Sequence, residues 1–332
     1  MKRLRVKTLF AAAFCCVLTS LALHAGPAAA QEAGNWPTRA IKLIVPYAAG
    51  GFADTRARRI AEKISEALGQ PVVVDNRSGA GGVTGTNLIA KATDGHTFGF
   101  ASPAPMVTNA MLMKKLPYDP ERDLQPVLLI EEAPLILVTS PTQPFKTVAE
   151  LVEAARAKPN TLTYGSSGVG GAHHLSGELL AYQTKTDMVH VPYKGGALAA
   201  TDLMGGHLAM MFEMGYSALP AIKGDKIRAL AVSAKHRLKV LPDVPTLDEA
   251  GISGFESYNW LGMVAPASTP PAVVQRLNEV VNAALRTPEL RSMIEDSGGE
   301  VVGGTPEAFG KFLAEERARW APVIRNANIS IE

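Results

Sequence analysis

Apolar, β-branched runs that end in small-residue loops and lead into amphipathic helical patterns are the feature that most constrains this chain. Residues 41–47 form the first such run, and Gly50 and Gly51 separate it from an apolar helical stripe over residues 54–68. The same plan recurs along most of the sequence, which is typical of βαβ units that build parallel sheets. The sequence therefore predicts an α/β fold.

One stretch breaks this alternation. Residues 126–140 contain two apolar runs, PVLLI and LILVTS, with only residues 131–134 between them and no room for a helix. A strand pair without a crossover helix suits a chain that leaves one sheet for another, so a first interdomain crossing is expected near Glu132. A long apolar strand that starts at Ser257 is the expected return crossing. These positions assign residues 31–132 and 256–332 to lobe 1 and residues 133–255 to lobe 2.

The first thirty residues have the pattern of a secretory signal peptide. Four basic residues precede an apolar run to about residue 25, and alanines at 28–30 supply a small-residue cleavage site. A membrane anchor is the alternative, but the run is short for a bilayer span. Cleavage near Ala30 would also remove Cys15 and Cys16, the two cysteines of the chain. The exported protein is therefore expected to contain no disulfide and no thiol chemistry.

Charge disfavours nucleic acids and anionic membranes as partners. Loss of the four basic leader residues changes 33 basic against 31 acidic residues into 29 against 31. The remaining chain has no basic run of the kind that an electrostatic footprint for nucleic acid requires.

Glycines cluster after the predicted strands, where open α/β sheets bind their ligands. Glycine allows bare backbone N–H groups to approach a ligand, and each helix N-terminus adds about half a positive charge. Loops of this kind from two lobes would hold one carboxylate without an arginine, although each glycine alone could serve a tight turn. The glycines concerned are Gly50, Gly51, Gly79, Gly81, Gly82, Gly165, Gly168, Gly170, Gly171, Gly195 and Gly196.

Several side chains beside these loops have two interpretations each. Asp54 is favoured as the N-cap of the first helix over a direct ligand contact. Tyr47 either lines the cleft or ends its strand. Lys194 either adds charge to the cleft or is a solvated lysine. Glu213 either selects a donor on the ligand or satisfies neighbouring backbone groups.

Catalytic, cofactor and metal motifs fail in the loop GSSGVGGAHH. Val169 occupies the final glycine position of a G-x-S-x-G elbow, so Ser166 and Ser167 are interpreted as hydrogen-bond donors to a ligand oxygen. His173 occupies the last glycine position of a dinucleotide G-x-G-x-x-G motif. His173 and the adjacent His174 lack metal-ligand spacing and are expected to cap or pack. No cofactor and no metal are predicted.

The ordered motifs together resemble the Bug family of periplasmic solute-binding proteins, the receptors of tripartite tricarboxylate transporters. The resemblance covers nearly the whole chain after the leader. It rests on WPTRAIKLIVPYAAGG (36–51), VVVDNRSGAGGVTGTNLIAKA (72–92), TYGSSGVGGAHHLSGELL (163–180), VPYKGGALAATDLMGGHL (191–208) and LPDVPTLDEAGISGFE (241–256), among others.

The resemblance implies a two-lobed Venus-flytrap fold that is similar to the type II fold of periplasmic binding proteins. Two strands would cross between the lobes. A monomeric, non-enzymatic receptor in the periplasm would capture a small carboxylate or related solute between its lobes and present it to membrane permease subunits. The implied and inferred contact residues are Tyr47, Ala49, Gly50, Gly51, Phe52, Asp54, Gly81, Gly82, Ser102, Asn109, Ser166, Ser167, Gly168, Gly170, Lys194, Gly195, Gly196 and Glu213.

Three departures from the family pattern bear on specificity. One is Leu198, which stands where proline commonly follows the KGGA run. Phe52 stands where a small residue or proline is common, and its ring would narrow the cleft or favour an aromatic ligand. Glu213 stands where aspartate is frequent. Two other functions stay open: a secreted hydrolase that uses Ser167 with His173 and an unidentified acid, and a ligand sensor that feeds a signalling system.

Overall fold

The computed structural model describes residues 35–193, 195–327 and 329 of the 332-residue chain. The predicted signal peptide, its cleavage site near Ala30, both cysteines and Lys194 lie outside the described residues. Residues 39–332 make up one compact unit, and the fold below is the fold of that unit.

In that unit, ten described strands form one hydrogen-bonded network, and the chain alternates between strands and helices as predicted. The strands are β1 (Ile41–Val45), β2 (Val72–Asn76), β3 (Thr97–Ala101), β4 (Leu124–Thr139), β5 (Thr163–Ser166), β6 (Val189–Pro192), β7 (Met210–Met214), β8 (Arg228–Val232), β9 (Tyr258–Pro266) and β10 (Glu300–Gly303).

The helices cover the faces of this network. They are α1 (Phe52–Leu68), α2 (Val83–Ala90), α3 (Asn109–Leu112), α4 (Val148–Ala157), α5 (Ala172–Thr184), α6 (Gly196–Met204), α7 (Gly215–Lys223), α8 (Pro271–Leu285), α9 (Pro288–Glu295) and α10 (Pro306–Asn326). A π-helical turn, Ala104–Thr108, precedes α3. No helix in the described part of the chain combines the length and the apolar character that a membrane crossing needs.

The strand order is β2-β1-β3-β9-β4-β7-β5-β6, with β10 and β8 also paired to β4. Strands β1, β2 and β3 are parallel to one another, and so are β5, β6 and β7. Strand β9 is antiparallel to both β3 and β4, whereas β7 is antiparallel to β4. The carboxyl ends of β1–β3 and of β5–β7 therefore point toward each other along β4.

Strand β4 corrects the prediction of two separate strands over residues 126–140. It is one strand of 16 residues. Its first part pairs with β9 as far as Pro134, and from Leu135 it pairs with β7 and β8. The polar residues between the two apolar runs stay extended because β9 and β10 supply partners on both sides, as at Glu132, which pairs with Trp260 and Glu300.

Several elements were not predicted from the sequence, among them α3, α7 and β10. Helix α7 contains Pro220 in its interior and was not predicted. Strand β10 has four residues, three of them glycine or valine, and its first residue, Glu300, is exposed. Proline disfavours the interior of a helix, and both α7 and β10 contact β4.

Apolar side chains from both halves of β4 are fully buried, including Ile130, Leu135 and Leu137. Trp260 on β9 is also buried and packs edge-on against Phe309 of α10. The C-terminal helix thereby covers the strands on which the two sets of parallel strands converge.

Candidate functional site

The first strand-end cluster consists of the residues that follow β1, β2 and β3. The hydroxyls of Tyr47 and Ser102 are 2.5 Å apart, and Asn76 Nδ2 donates to the Tyr47 carbonyl oxygen at 3.1 Å. Burial raises the pKa of the Tyr47 hydroxyl, so it is neutral and able to donate at physiological pH. The predicted site residues Tyr47 and Ser102 are thus in direct contact.

The glycine turn after β2 belongs to the same cluster. Asn109 is buried and its amide donates to the Gly81 carbonyl oxygen at 3.3 Å. A Cβ atom on Gly82 would lie 3.4 Å from the Tyr47 hydroxyl and 3.2 Å from Pro105. The structure therefore brings together Tyr47, Gly81, Gly82 and Asn109. Ala49, Gly50, Gly51 and Gly81 are exposed to solvent.

Asp54 does not cap α1 in the predicted manner. The helix begins at Phe52 after Gly51, which makes Asp54 its third residue. Its Oδ2 accepts from the preceding Gly50 N–H at 2.8 Å and from Arg58 Nε at 3.0 Å. Burial alone would raise the pKa of this carboxyl, but the hydrogen bonds from Arg58 and Gly50 outweigh it and lower the pKa. Gly51 occupies the cap position, so Asp54 stabilises the loop before α1 from the first turn of the helix.

Phe52 is largely buried, and its ring contacts protein groups on two sides. The Arg56 guanidinium lies 4.9 Å from the ring centroid, and the Tyr216 ring meets it edge-on at 6.4 Å. Arg56 also forms a fully buried ion pair with Glu131 of β4 at 3.0 Å. The aromatic loop residue is therefore linked to the strand that joins the two strand sets.

The second strand-end cluster consists of the residues that follow β5, β6 and β7. Ser166 is fully buried; its hydroxyl donates to the Gly168 carbonyl oxygen at 3.0 Å and accepts from the Gly168 N–H at 3.1 Å. His190 Nε2 is 2.6 Å from the same hydroxyl. Because the Ser166 hydroxyl proton is used within the loop, this side chain stabilises a turn in which Gly168 has a φ of 135°.

Ser167, His173 and Glu213 form a hydrogen-bonded chain in this cluster. Ser167 Oγ is 2.8 Å from His173 Nδ1, and His173 Nε2 is 3.3 Å from Glu213 Oε1. Glu213 also accepts from the Met214 N–H at 2.8 Å. Desolvation would raise the pKa of Glu213, but its interactions with His173 and Met214 outweigh it and lower the pKa. Glu213 thus satisfies a backbone group, one of the two roles expected for it.

Gly196 completes this arrangement, since a Cβ atom on it would lie 3.4 Å from Glu213 Oε2 and 4.0 Å from Ser167 Cβ. Gly195 precedes it with a φ of 126°, a conformation that favours glycine. Ser167, Gly168, Gly195 and Gly196 are partly exposed, whereas Glu213 is buried. The position of Lys194, between these residues and β6, lies outside the described part of the chain.

His174 and His190 form a stacked pair behind the serines. Their ring centroids are 3.7 Å apart, His174 Nδ1 accepts from the Gly170 N–H at 3.0 Å, and Glu178 is 3.3 Å from His174 Nε2. Desolvation, followed by the neighbouring His174, lowers the pKa of His190 to about 4. Capping or packing was predicted for His174, whereas His190 was not predicted to have a role, because its place in the short strand VHVP gives no distinctive signal.

A hydrogen bond connects the two clusters directly. Thr108, which is fully buried in the π-helical turn after β3, donates to the Gly170 carbonyl oxygen after β5 at 2.8 Å. Thr108 was not among the predicted site residues. The glycine-rich ends of the two parallel strand sets therefore meet.

The helices that follow the parallel strands share a feature at their starts. Helices α1, α2, α5 and α6 each begin after a glycine with no side-chain cap. Outside this group, Thr147 caps α4 and Thr305 caps α10 through their side-chain oxygens, whereas α3, α7, α8 and α9 have no side-chain cap. First-turn N–H groups without a cap are donors at the positive end of the helix dipole, although in α2 the Val83 and Thr84 N–H groups donate to the carbonyl oxygens of Ala80 and Gly79. Among the described residues, no group of three histidine, cysteine, aspartate or glutamate side chains is placed to bind a metal ion.

Solved structures define the class of fold. The R. palustris protein Rpa4515 with adipate superposes with a TM-score of 0.83 at 36% identity and covers 89% of this chain and 99% of its own. The periplasmic binding protein BugD has a TM-score of 0.79 at 32% identity and covers 90% and 100%. MatC from Rhodopseudomonas palustris with bound malate has a TM-score of 0.79 at 33% identity and covers 87% and 100%. The chain has the α/β fold of periplasmic binding proteins.

Sequence comparison gives the family. Residues 56–329 match the model of the tripartite tricarboxylate transporter family receptor, TctC. Protein BugT of Bordetella pertussis is 36% identical over 310 residues, which are 93% of this chain and 95% of BugT. The chain belongs to the TctC family of solute-binding receptors, so the resemblance inferred from the sequence motifs is confirmed.

Proposed function

We propose that this receptor captures a small dicarboxylate, or a related organic acid, between the two strand-end clusters. The observation that carries the proposal is the set of helix starts in these clusters, where α1, α5 and α6 each begin after a glycine and leave backbone N–H donors without side-chain caps. A carboxylate is the natural partner of such donors. Structural neighbours with adipate and with malate support this ligand class.

The proposed setting is the periplasm, after cleavage near Ala30, where the loaded receptor would deliver its ligand to the permease subunits of a tripartite tricarboxylate-type transporter. The lobes of the proposal are residues 31–132 with 256–332, and residues 133–255. The change of β4 partners between Pro134 and Leu135 supports a hinge there. Closure would be driven by contacts, such as Thr108 to Gly170, that join the clusters.

Variants in which a new aspartate caps its own helix at the site test the proposal. Gly51 and Gly171 have ordinary extended backbones, with φ of −82° and −79°, and a Cβ atom would meet nothing closer than 3.5 Å and 3.9 Å. Aspartate at either position would cap its own helix and occupy the place of the ligand carboxylate. We expect Gly51→Asp and Gly171→Asp to bind adipate or malate at least about tenfold more weakly in calorimetry, a loss of about 1.4 kcal/mol.

The same substitutions are expected to leave stability unchanged or to raise it by a few tenths of a kcal/mol, the difference between aspartate and glycine at an N-cap. Gly51→Ala and Gly171→Ala are the matched controls, since they add the Cβ atom without the carboxylate. Thr305→Asp places the same charge at the start of α10, away from both clusters. Unchanged affinity in both aspartate variants would contradict a ligand held by these helix starts.

A second candidate function, ester hydrolysis, is favoured by the Ser167–His173–Glu213 chain. It supplies the serine–histidine hydrogen bond that a nucleophile needs, together with an acid that the sequence had not identified. Against it, the loop has no nucleophile elbow. Hydrolysis of p-nitrophenyl acetate that disappears in Ser167→Ala would establish the activity. Ligand binding without product formation would support a receptor alone.

A further inference from the structure

In the Ser167–His173–Glu213 chain, a single proton determines which atoms donate and which accept the hydrogen bonds. Ser167 is partly exposed at one end, whereas His173 and Glu213 are buried. The Glu213 carboxylate accepts from the Met214 N–H and lies 3.3 Å from His173 Nε2. An ionised carboxylate can only accept hydrogen bonds, so His173 Nε2 must carry the hydrogen that is shared with it.

The state of the other ring nitrogen then determines what Ser167 offers to the solvent side. In the neutral imidazole, Nδ1 has only a lone pair and takes the hydroxyl proton of Ser167, 2.8 Å away. Ser167 then presents lone pairs alone. In the imidazolium, Nδ1 carries a hydrogen and donates to Ser167 Oγ, so the hydroxyl proton is free to point elsewhere. A ligand carboxylate, which is an acceptor, can use Ser167 only in this second state.

We propose that His173 is a positioning residue that takes up a proton when a carboxylate binds and thereby turns the Ser167 hydroxyl toward the ligand. The inference rests on the proposed function, since it requires an acidic ligand beside Ser167. Proton uptake and ligand binding are linked reciprocally, so the carboxylate affinity must rise as the pH falls.

The surroundings of His173 allow this change. Among the described side chains, Glu213 on β7 is the charged group that hydrogen-bonds to its ring, and it would balance the added charge. His174 and Glu178 on α5 and His190 on β6 form the separate cluster behind Ser166. His190 donates to Ser166, whose own hydroxyl proton is donated to the Gly168 carbonyl oxygen. Protonation of His190 therefore does not change the hydrogen bonding of Ser167.

Calorimetry in several buffers measures the proposed proton directly. Adipate and malate are titrated into the mature full-length protein at pH 7.5 in phosphate, HEPES and Tris, whose ionisation enthalpies differ. The slope of observed enthalpy against buffer enthalpy gives the protons taken up per ligand. We expect an uptake between about 0.3 and 1 proton, and an affinity that rises by up to about tenfold per unit fall in pH over the range of uptake.

Two variants and a control assign that proton. His173→Gln, which keeps an amide able to donate to Ser167, is expected to bind without proton uptake and with a flat pH profile. Ser167→Ala keeps the His173–Glu213 pair but removes the donor, so both affinity and uptake should fall. His236→Gln removes an exposed histidine elsewhere and should match the parent. Thermal melting establishes that each variant is folded.

The outcomes distinguish failure of the proposed role of His173 from failure of the proposed dicarboxylate function. Binding of either acid without proton uptake by the parent overturns the role of His173 and leaves the proposed function intact. Uptake that persists in a folded His173→Gln variant overturns it equally. Absence of any binding heat or thermal shift with both acids up to millimolar concentration contradicts the proposed dicarboxylate function itself, and the inference with it.

Discussion

The two strand-end clusters have similar backbone designs but are held by different chemistry. In the first cluster, the loop before α1 is fixed by Asp54 with Arg58 and, behind it, by the buried pair of Arg56 and Glu131. In the second cluster, the serine-glycine loop is fixed by His173, His174 and His190. Histidine is the side chain whose ordinary pKa lies nearest physiological pH. The first cluster should therefore be insensitive to pH near neutrality and the second should respond to it.

The largest expected effect is loss of the buried ion pair in the first cluster. Burial raises the pKa of Glu131, although the Arg56 guanidinium opposes this. Glu131→Ala would leave Arg56 buried without its partner, which should cost about 3–5 kcal/mol of unfolding free energy in urea denaturation. Replacing both residues, in Arg56→Met with Glu131→Leu, should recover most of this loss. A single-variant loss below about 1 kcal/mol would show that the first cluster does not depend on permanent charge.

Asp54→Ala should destabilise the protein by about 1–2 kcal/mol, because charged hydrogen bonds to Gly50 and Arg58 are lost. The pKa of Asp54 is lowered from 3.8, so its contribution is complete above pH 3.8 and is lost as the pH falls below that value. The difference between variant and parent should therefore be constant from pH 5 to 8. Glu62→Ala, at an exposed pair on the same helix, should change stability little.

The second cluster should lose stability at a higher pH than the first, through His190. Its pKa is lowered from 6.5 to about 4, so the folded state favours the neutral ring while the unfolded chain takes up a proton. Stability should fall as the pH drops from 6.5 toward 4, by about 1 kcal/mol once residual solvent contact is considered. His190→Gln should flatten this part of the profile in thermal melts. An equally steep profile in the variant would assign the effect to other groups.

The smallest expected effect is that of Tyr47→Phe, which removes a neutral hydrogen bond within the first cluster. Loss of the contact with Ser102 should cost about 0.5–1 kcal/mol at any pH between 5 and 8. Ser102→Ala removes the other partner of the same bond, and comparison of the two variants with the double variant isolates the interaction. Strongly additive losses would mean that the two hydroxyls act independently.

Much of the fold was predictable because hydrophobic periodicity and turn residues act locally. The alternation of strands and helices, the glycine positions after the strands and the helices that begin at Pro271, Pro288 and Pro306 all follow from the sequence. Strand β4 was divided in the prediction because Glu131 and Glu132 interrupt its apolar pattern. Burial of Glu131 depends on Arg56, 75 positions away in sequence, which no local pattern reports.

The glycines of the site were predictable from the sequence, whereas the contacts that its side chains make were less so. Asp54 was expected at the cap, since aspartate favours that position, but Gly51 occupies it and Asp54 contacts the loop from the first turn. Thr108, His190 and the pairing of His173 with Glu213 were missed because they come together only through the packing of separate strands. Adjacent histidines give no sign of their partners until β5, β6 and β7 are aligned.

A crystal structure of the protein with adipate or malate would show which groups hold the ligand carboxylates. We expect one carboxylate to have an oxygen within about 3.2 Å of first-turn backbone N–H groups of α1 or α5, and the second carboxylate to lie at the opposite cluster. A ligand bound away from both clusters, or one whose carboxylates are held by arginine and lysine side chains while these N–H groups face water, would contradict this expectation.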